Sequence, residues 1–340
     1  MFKRLLNITT HKIYTLPVLV LMPHSRCNCR CVMCDIWKAN QNKKEISCED
    51  LSKHIESFRN FGVTHVALSG GEALMHSNLW NFCRQLKSIG IKISLLSTGI
   101  TLGNHAHQVI EFTDDVIVSL DGNPELHNQI RNIPAAFEKL KDGVRALKEL
   151  SPSFRVTGRC VLQKLNYKAL IDIIHTAKSL ELDQISFLTA DVSSSAFNRE
   201  DTWQEDKVVQ IELSKEEVIE FEKIVRESIQ QCADLYQSNF IAESPEKMLS
   251  LVQYYQALLG QTNFPAKRCN APWVSAVIES DGEVRPCFFH KSYGNISTGS
   301  FESVINSKEA ISFRKNLDMK HDSICERCVC SLHLGLTASP

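Results

Sequence analysis

Hydrophobic positions along the chain switch between two periods. Short apolar runs bounded by glycine, proline, serine or asparagine read as strands, and the stretches between them place apolar residues at three- and four-residue intervals, as on one face of a helix. The first run, Val18 to Met22, lies between Pro17 and Pro23. Further strands are predicted in HVALSGGE (65–72), IKISLLSTG (91–99), DDVIVSLDG (114–122), FRVTGRCVLQ (154–163) and DQISFLTADV (183–192). Helical periodicity fills SCEDLSKHIESFRNFG (47–62), NLWNFCRQLKSIG (78–90), AAFEKLKDGVRALKEL (135–150), KALIDIIHTAKSLEL (168–182) and SKEEVIEFEKIVRESIQQC (214–232). Ser47 and Asp50 are spaced as a helix-capping pair. Strands alternating with helices imply a parallel sheet with right-handed crossovers, and apolar strands imply that both faces are covered. An α/β fold follows, as an open doubly wound sheet or a partial barrel.

The pattern changes near residue 265. WVSAVIES and EVRPCFF flank Asp281-Gly282, a hairpin signal, and a short helix is expected in FESVINSKEAISFRKNL. Four regions are expected: a lead-in at 1–16, a β/α region at 17–235, a helical connector at 236–264, and a small C-terminal domain at 265–340 with a thin core of its own. Residues 190–212 are polar and irregular, long enough to suggest a lid.

Composition narrows the function classes. Lysine plus arginine (38) nearly balances aspartate plus glutamate (39), giving a formal net charge of −1. Such a chain offers no strong field for nucleic acid or an anionic membrane. The N-terminal run LPVLVLMP is too short for a spanning helix and lacks a small-residue cleavage site, so a cytoplasmic protein is expected. Thirteen cysteines, an odd number in a chain of 340 residues, do not suit a secreted disulfide scaffold.

Those cysteines carry the candidate chemistry. CNCRCVMC (27–34) sets Cys27, Cys31 and Cys34 in a C-x3-C-x2-C spacing, with Cys29 as the expected spare, pointing away from the other three. Three thiolates on a tight loop suit three irons of a cubane and leave the fourth iron open to a chelating ligand. Zinc is the alternative, with Cys29 or His24 completing a site. Joined to the glycine-glycine-glutamate stretch after the second strand, this spacing resembles the radical S-adenosylmethionine (SAM) superfamily over most of residues 17 to 235. That resemblance implies a partial (β/α)6 barrel and a 4Fe-4S cluster whose open iron is chelated by SAM. It also implies reductive cleavage of SAM to a 5′-deoxyadenosyl radical, which abstracts hydrogen from a substrate, and a reductant such as flavodoxin or ferredoxin. By position it assigns Gly70, Gly71 and Glu72 to the methionine moiety. Met33 stands where the family usually has an aromatic residue near adenine, and Ala73 where it commonly has proline. Ser97, Thr98, Ser119 and Asp121 lie at strand ends that contact SAM or substrate in relatives, and Leu188 lies where the sixth strand touches adenine.

A second set, Cys269, Cys287, Cys325 and Cys328, suits zinc by spacing alone. It also resembles the SPASM and Twitch extensions of radical SAM enzymes. The late CERCVC stops short of the full SPASM pattern, which implies one auxiliary 4Fe-4S cluster held by four protein thiolates, with Cys330 surplus or substituting for a neighbour. Such a cluster is expected to accept an electron from a substrate radical, making the enzyme an oxidoreductase. Arg159, His127, Arg131 and His290 are the candidate substrate-side groups. Only some sixteen residues precede the first strand, so a small polar metabolite is the expected substrate and a ribosomally made peptide the alternative. A non-catalytic module stabilised by zinc or iron–sulfur is the alternative of a different class.

Overall fold

The computed structural model describes residues 1–199, 201–338 and 340. Six strands follow in order: β1 (Val18–Leu21), β2 (His65–Leu68), β3 (Lys92–Ser97), β4 (Asp115–Ser119), β5 (Arg155–Leu162) and β6 (Gln184–Thr189). Each pairs in parallel with the next, and helices cross between them. The architecture is a partial (β/α)6 barrel.

The strands are not covered equally on both faces. In β1, β2, β4 and β6 fully buried residues alternate strictly with half-buried ones. The buried set packs under the surrounding helices. The half-buried set, including Ser119, Ser186 and Leu188, faces the barrel interior and remains partly open. Period-two alternation thus survives in a parallel sheet because only one face of these strands is fully covered.

Two predicted helices are broken in the structure. Residues 47–62 form Cys48–Ser52 and Ile55–Asn60, the first begun by Ser47, whose side chain accepts from the Asp50 amide. FESVINSKEAISFRKNL forms Phe301–Ile305 and Lys308–Asn316, because Ser307 caps a new start by accepting from the Ala310 amide. A third, Lys215–Gln231, has a complete capping box between Ser214 and Glu217.

The C-terminal region differs most from expectation. β7 (Ser275–Ile278) lies parallel to β1, with Val18 opposite Ser275 and Leu21 opposite Ile278. β8 (Glu283–Arg285) returns antiparallel to it, and β9 (Gly294–Asn295) adds a short edge. The result is a single nine-stranded sheet, β6-β5-β4-β3-β2-β1-β7-β8-β9. The hairpin turn spans Glu279 to Gly282: the Gly282 amide donates to the Glu279 carbonyl, and Gly282 takes a positive φ of 87°. Phe301 packs edge-on against Phe58 and Phe61, and Val304, Ile305 and Ala310 join the barrel's hydrophobic cluster. The C-terminal region therefore has no separate core; it extends the barrel's sheet and shares its interior.

The lead-in is a helix, Phe2–Thr10, fastened to the C-terminal region. Asn7 Nδ2 donates to the carbonyls of Thr15 and Trp273, and buried Arg314 donates to those of His11 and Ile305. Between barrel and hairpin, the helix Pro245–Leu258 packs on Lys215–Gln231. No helix among the described residues is long and apolar enough to cross a membrane.

Candidate functional site

The eight-residue cysteine loop emerges from the C-terminal end of β1, where active sites gather in β/α barrels. Backbone bonds pin it on several sides. Asn40 brackets Cys27, its Oδ1 accepting from the amide and its Nδ2 donating to the carbonyl, each at 2.9 Å. The amides of Arg30 and Val32 donate to the carbonyls of Arg131 and Ile130, at the end of the helix Pro124–Arg131. Trp37 Nε1 donates to the Cys34 carbonyl at 2.8 Å.

The glycines after β2 hold the loop from beneath. A Cβ on Gly71 would sit 2.1 Å from the Arg26 carbonyl oxygen, and one on Gly70, whose φ is +104°, would sit 2.9 Å from Met22 Cβ. The Glu72 amide donates to the same Arg26 carbonyl at 2.9 Å. These glycines therefore admit the cysteine loop itself against the end of β2. Glu72 is fully buried and its carboxylate accepts from four donors: the Leu74 amide, Ser97 Oγ, the Thr98 amide and Thr98 Oγ1. Burial raises its pKa, against the pull of those bonds. Thr98 Oγ1 also meets Asn28 Oδ1 of the cysteine loop at 2.9 Å. Glu72, Ser97 and Thr98 thus form one network joining the ends of β2 and β3 to the loop.

Cys29 does not point away from its neighbours. Its buried thiol lies beside those of Cys27 and Cys31, and these neighbours, with burial, raise its pKa. The Cys31 thiol is brought down to about 7 by the Cys29 thiol beside it and by the charge of Arg131, against burial. Arg131 Nη1 donates to Cys31 Sγ at 3.5 Å, and Nη2 lies 2.5 Å from Asp121 Oδ2. Burial, then the neighbouring Cys31 sulfur, pushes Cys34 up to about 12. Convergent thiols on one loop with a guanidinium beside one of them fit a cluster held by thiolates, since the cation offsets part of the ligand charge.

The other predicted site residues divide into two groups. Ser119, Arg159 and Leu188 sit on the half-buried interior face, with Ser119 opposite Arg159 across β4–β5 and Arg159 opposite Ser186 across β5–β6. Met33 is half-buried on the loop. Asp121 and His127, in contrast, are wholly buried. The Asp121 amide donates to His127 Nδ1 at 3.2 Å, and burial lowers the His127 pKa to about 3, with help from Arg131. His127 and Arg131 lie in the packing under the loop and not on the interior face.

The second cysteine set draws on separated segments: Cys269 before β7, Cys287 after β8, and Cys325, Cys328 and Cys330 near the C-terminal end. Burial raises the pKa of Cys287, and the nearby sulfurs of Cys269 and Cys330 add to this. Cys328 is pushed up to about 12, chiefly by burial, with Cys330 and Cys287 contributing. Lys267 lies close enough to Cys328 and Cys325 to feel their charge. The five thiols thus lie near enough for each to feel the charge of others in the set. His290 Nε2 lies 3.3 Å from Cys325 Sγ and 3.6 Å from Asp322, and its ring rests edge-on against Phe313. This places His290 among the cysteines.

Sequence reasoning missed a bridge between the two loops. Within residues 190–212, Arg199 pairs with buried Asp191 at 2.8 Å and stacks 3.6 Å over the Trp203 ring. Trp203 Nε1 donates to Asp35, the residue after Cys34, at 2.8 Å. Phe197 stacks on Phe288 and meets Phe289 edge-on, next to Cys287. Asp191 and Phe289 also line a cavity of about 120 Å³ with Ser193, Ser194, Arg327 and Cys328. No spacing pattern announces the contacts with Asp35, Phe288 and Phe289, because they join segments far apart in the chain.

Comparison with known proteins places this architecture. Residues 21–177 match the model of the radical SAM superfamily, and residues 269–329 that of the SPASM iron–sulfur cluster-binding domain. The antilisterial bacteriocin subtilosin biosynthesis protein AlbA of Bacillus subtilis is 25% identical over 293 residues, 83% of this chain and 58% of that protein. A probable GTP 3′,8-cyclase of Methanococcus maripaludis is 33% identical over 123 residues, covering 35% of this chain and 41% of the cyclase. The chain thus spans little more than half the length of the first of these and less of the second. In fold, it resembles Streptococcus suis SuiB bound to precursor peptide SuiA, with a TM-score of 0.66 and 14% identity over 97% of this chain and 74% of that one. It also resembles native anSMEcpe with bound AdoMet, with a TM-score of 0.64 and 19% identity over 92% and 87% of the two chains. Residues 21–177 thus carry a radical SAM segment, and residues 269–329 a SPASM-type iron–sulfur cluster-binding domain, each holding one of the two cysteine sets.

Proposed function

We propose that this enzyme oxidises or crosslinks a ribosomally made peptide, with Cys27, Cys31 and Cys34 holding the SAM-binding cluster and the C-terminal cysteines holding an auxiliary one. The carrying observation is the bacteriocin biosynthesis relative, whose match extends over 83% of the chain. When bound, the cluster and SAM supply a 5′-deoxyadenosyl radical that takes a hydrogen atom from substrate, and the auxiliary cluster supplies an acceptor for the electron then released.

The protein's own groups set the stage between the two cysteine sets. Arg159 reaches inward beside Ser186, with Nε 3.4 Å from Ser186 Oγ, and its charge is felt by Glu243 and by Cys330. A substrate on this interior face lies against Ser119 and Leu188. The Arg199–Asp191–Trp203 bridge closes one side and excludes water, which strengthens polar contacts inside. A second reading, a small polar metabolite, is favoured by the 33% identity of the barrel segment to GTP 3′,8-cyclases. Arg159 suits either, since a guanidinium binds a phosphate or a peptide carboxylate in a bidentate manner.

The test is anaerobic turnover with SAM and a low-potential reductant. Peptides encoded beside the gene and a panel of nucleotides and cyclitols are offered separately. Mass loss of a hydrogen pair from a peptide, coupled to 5′-deoxyadenosine, is the expected result. Turnover of a metabolite with every peptide inert would overturn the peptide reading in favour of the second.

A further inference from the structure

Arg131 is buried, carries a permanent charge, and has its guanidinium divided between two partners. Nη2 meets the Asp121 carboxylate at 2.5 Å, and Nη1 points at Cys31 Sγ at 3.5 Å. The orientation of that fork is fixed from behind. Asp121 is itself held: Oδ1 accepts from the Val161 amide, the Asp121 carbonyl from Asn166 Nδ2, and its amide donates to His127 Nδ1. The backbone of Arg131 is held too, because its carbonyl accepts the amide of Arg30, one residue before Cys31. Main chain and side chain of one residue thus grip the same loop at two adjacent positions, Arg30 and Cys31.

A surface salt bridge needs none of this fixing. Burying a full cation costs several kcal/mol unless it is paired. Here the Asp121 carboxylate offsets the charge, and an N–H of Nη1 is aimed at a sulfur. A hydrogen bond to a cluster thiolate stabilises the more negative, reduced state, and nearby net charge acts in the same way. We propose that Arg131 is a positioning residue that raises the reduction potential of the cluster bound through Cys31, with Asp121 orienting its guanidinium and moderating its charge. The inference rests on the proposed ligand set of Cys27, Cys31 and Cys34. It moves Arg131 from the substrate side of the enzyme to the electron-entry side.

Opposite changes of charge at the two partners should produce opposite shifts. The holoenzyme is reconstituted anaerobically and its iron and sulfide are counted. Reduced signals are followed by electron paramagnetic resonance during a redox titration with dithionite, and the signal that changes on adding SAM marks the barrel cluster. Its midpoint is then read without SAM. Arg131→Gln removes the cation and leaves only a shorter, neutral amide donor, so the midpoint should move to more negative potential. Asp121→Asn leaves the cation less compensated, so it should move to more positive potential. The auxiliary signal should stay in place in both. Unchanged midpoints at full iron content overturn the proposal. Shifts of the same sign in both variants also overturn it, since they reveal only a disturbed loop. Should Arg131→Gln fail to take up iron, Arg131→Lys keeps the cation on a different donor geometry. A wild-type midpoint in that variant together with one in Asp121→Asn again overturns the proposal. A wild-type enzyme with no SAM-sensitive signal would instead sink the ligand assignment.

Discussion

The two cysteine regions solve one chemical problem in opposite ways. The N-terminal set lies within eight consecutive residues, and the fold supports it from outside, through Asn40, the Arg26 carbonyl over Gly71, and the end of the helix Pro124–Arg131. The C-terminal set comes from segments between residues 269 and 330 and converges only when β7 has joined β1 and the helices after β9 have packed. The first is local in sequence and needs the fold for orientation. The second needs the fold to exist at all, and a bound cluster would in turn close those loops, so metal binding there couples to folding.

The largest effect expected from this contrast is at the local set. Changing Cys27, Cys31 and Cys34 together to alanine should abolish SAM cleavage and lower iron by about half, from roughly eight to four per chain by cluster counting. Cleavage assays and iron analysis after anaerobic reconstitution check both outcomes. Cleavage surviving in the triple variant would break the comparison at its root. The next effect is at the assembled set. Cys287→Ala or Cys328→Ala should also lose about half the iron on the same count. Slow uncoupled formation of 5′-deoxyadenosine should persist in either, while substrate turnover collapses. Near-normal substrate conversion would show that the second set has no redox part.

The same contrast explains what was legible in the sequence. CNCRCVMC and SGGE could be read because their chemistry is contiguous, and strand periodicity located all six barrel strands. The parallel pairing of β7 with β1 was not legible, since SAVI looks the same in a separate hairpin as beside Val18–Leu21. The direction of the Cys29 thiol was not legible either, because a loop's backbone, not its spacing, decides where each sulfur points. Asp121 and Arg131 were both noticed, but as separate candidates. Their 2.5 Å contact joins two residues ten apart across a turn and a helix, and nothing in LDGNPELHNQIR specifies it. The Arg199–Trp203–Asp35 bridge starts inside the irregular stretch 190–212, yet its partner sits far upstream beside the cysteine loop.

A third, smaller effect concerns the helix that supports the local set. His127 must be neutral at Nδ1 to accept the Asp121 amide, and burial holds its pKa near 3 against an ordinary 6.5. The unfolded chain therefore binds a proton that the folded chain refuses. Stability from this group is complete above pH 6.5 and falls as the pH drops from there toward 3, by about 1.4 kcal/mol per pH unit. Nothing comparable is expected above pH 6.5. Melting of the reconstituted enzyme at pH 7.5 and 5.5 measures the loss. His127→Asn offers an uncharged acceptor in place of Nδ1 and should flatten it. A variant that loses as much between those two pH values as the wild type would show that another group controls the acid limb.

The smallest effect sharpens the comparison most. The local set has four thiols, and Cys29 touches two of the three proposed ligands. It is buried at 1% exposure, and its thiol beside Cys31 helps to bring that sulfur's pKa down to about 7. Ligation by Cys29 in place of Cys31 would change the spacing on the loop from C-x3-C-x2-C to C-x-C-x4-C, whereas the backbone bonds at Arg30 and Val32 fix the peptide planes on either side of Cys31. Cys29 is therefore expected to be a neighbour of the ligands and not one of them. Cys29→Ala should keep full iron and sulfide and sustain SAM cleavage, slowed by a few-fold at most, in keeping with a loss on the scale of one hydrogen bond, about 1 kcal/mol. Cys31→Ala alone, in contrast, should lose the barrel cluster. If Cys29→Ala loses that cluster while Cys31→Ala retains it, the two residues exchange roles. Arg131 would then donate to the neighbour instead of the ligand, and the local set would depend on folding for its ligand choice as much as the assembled one does.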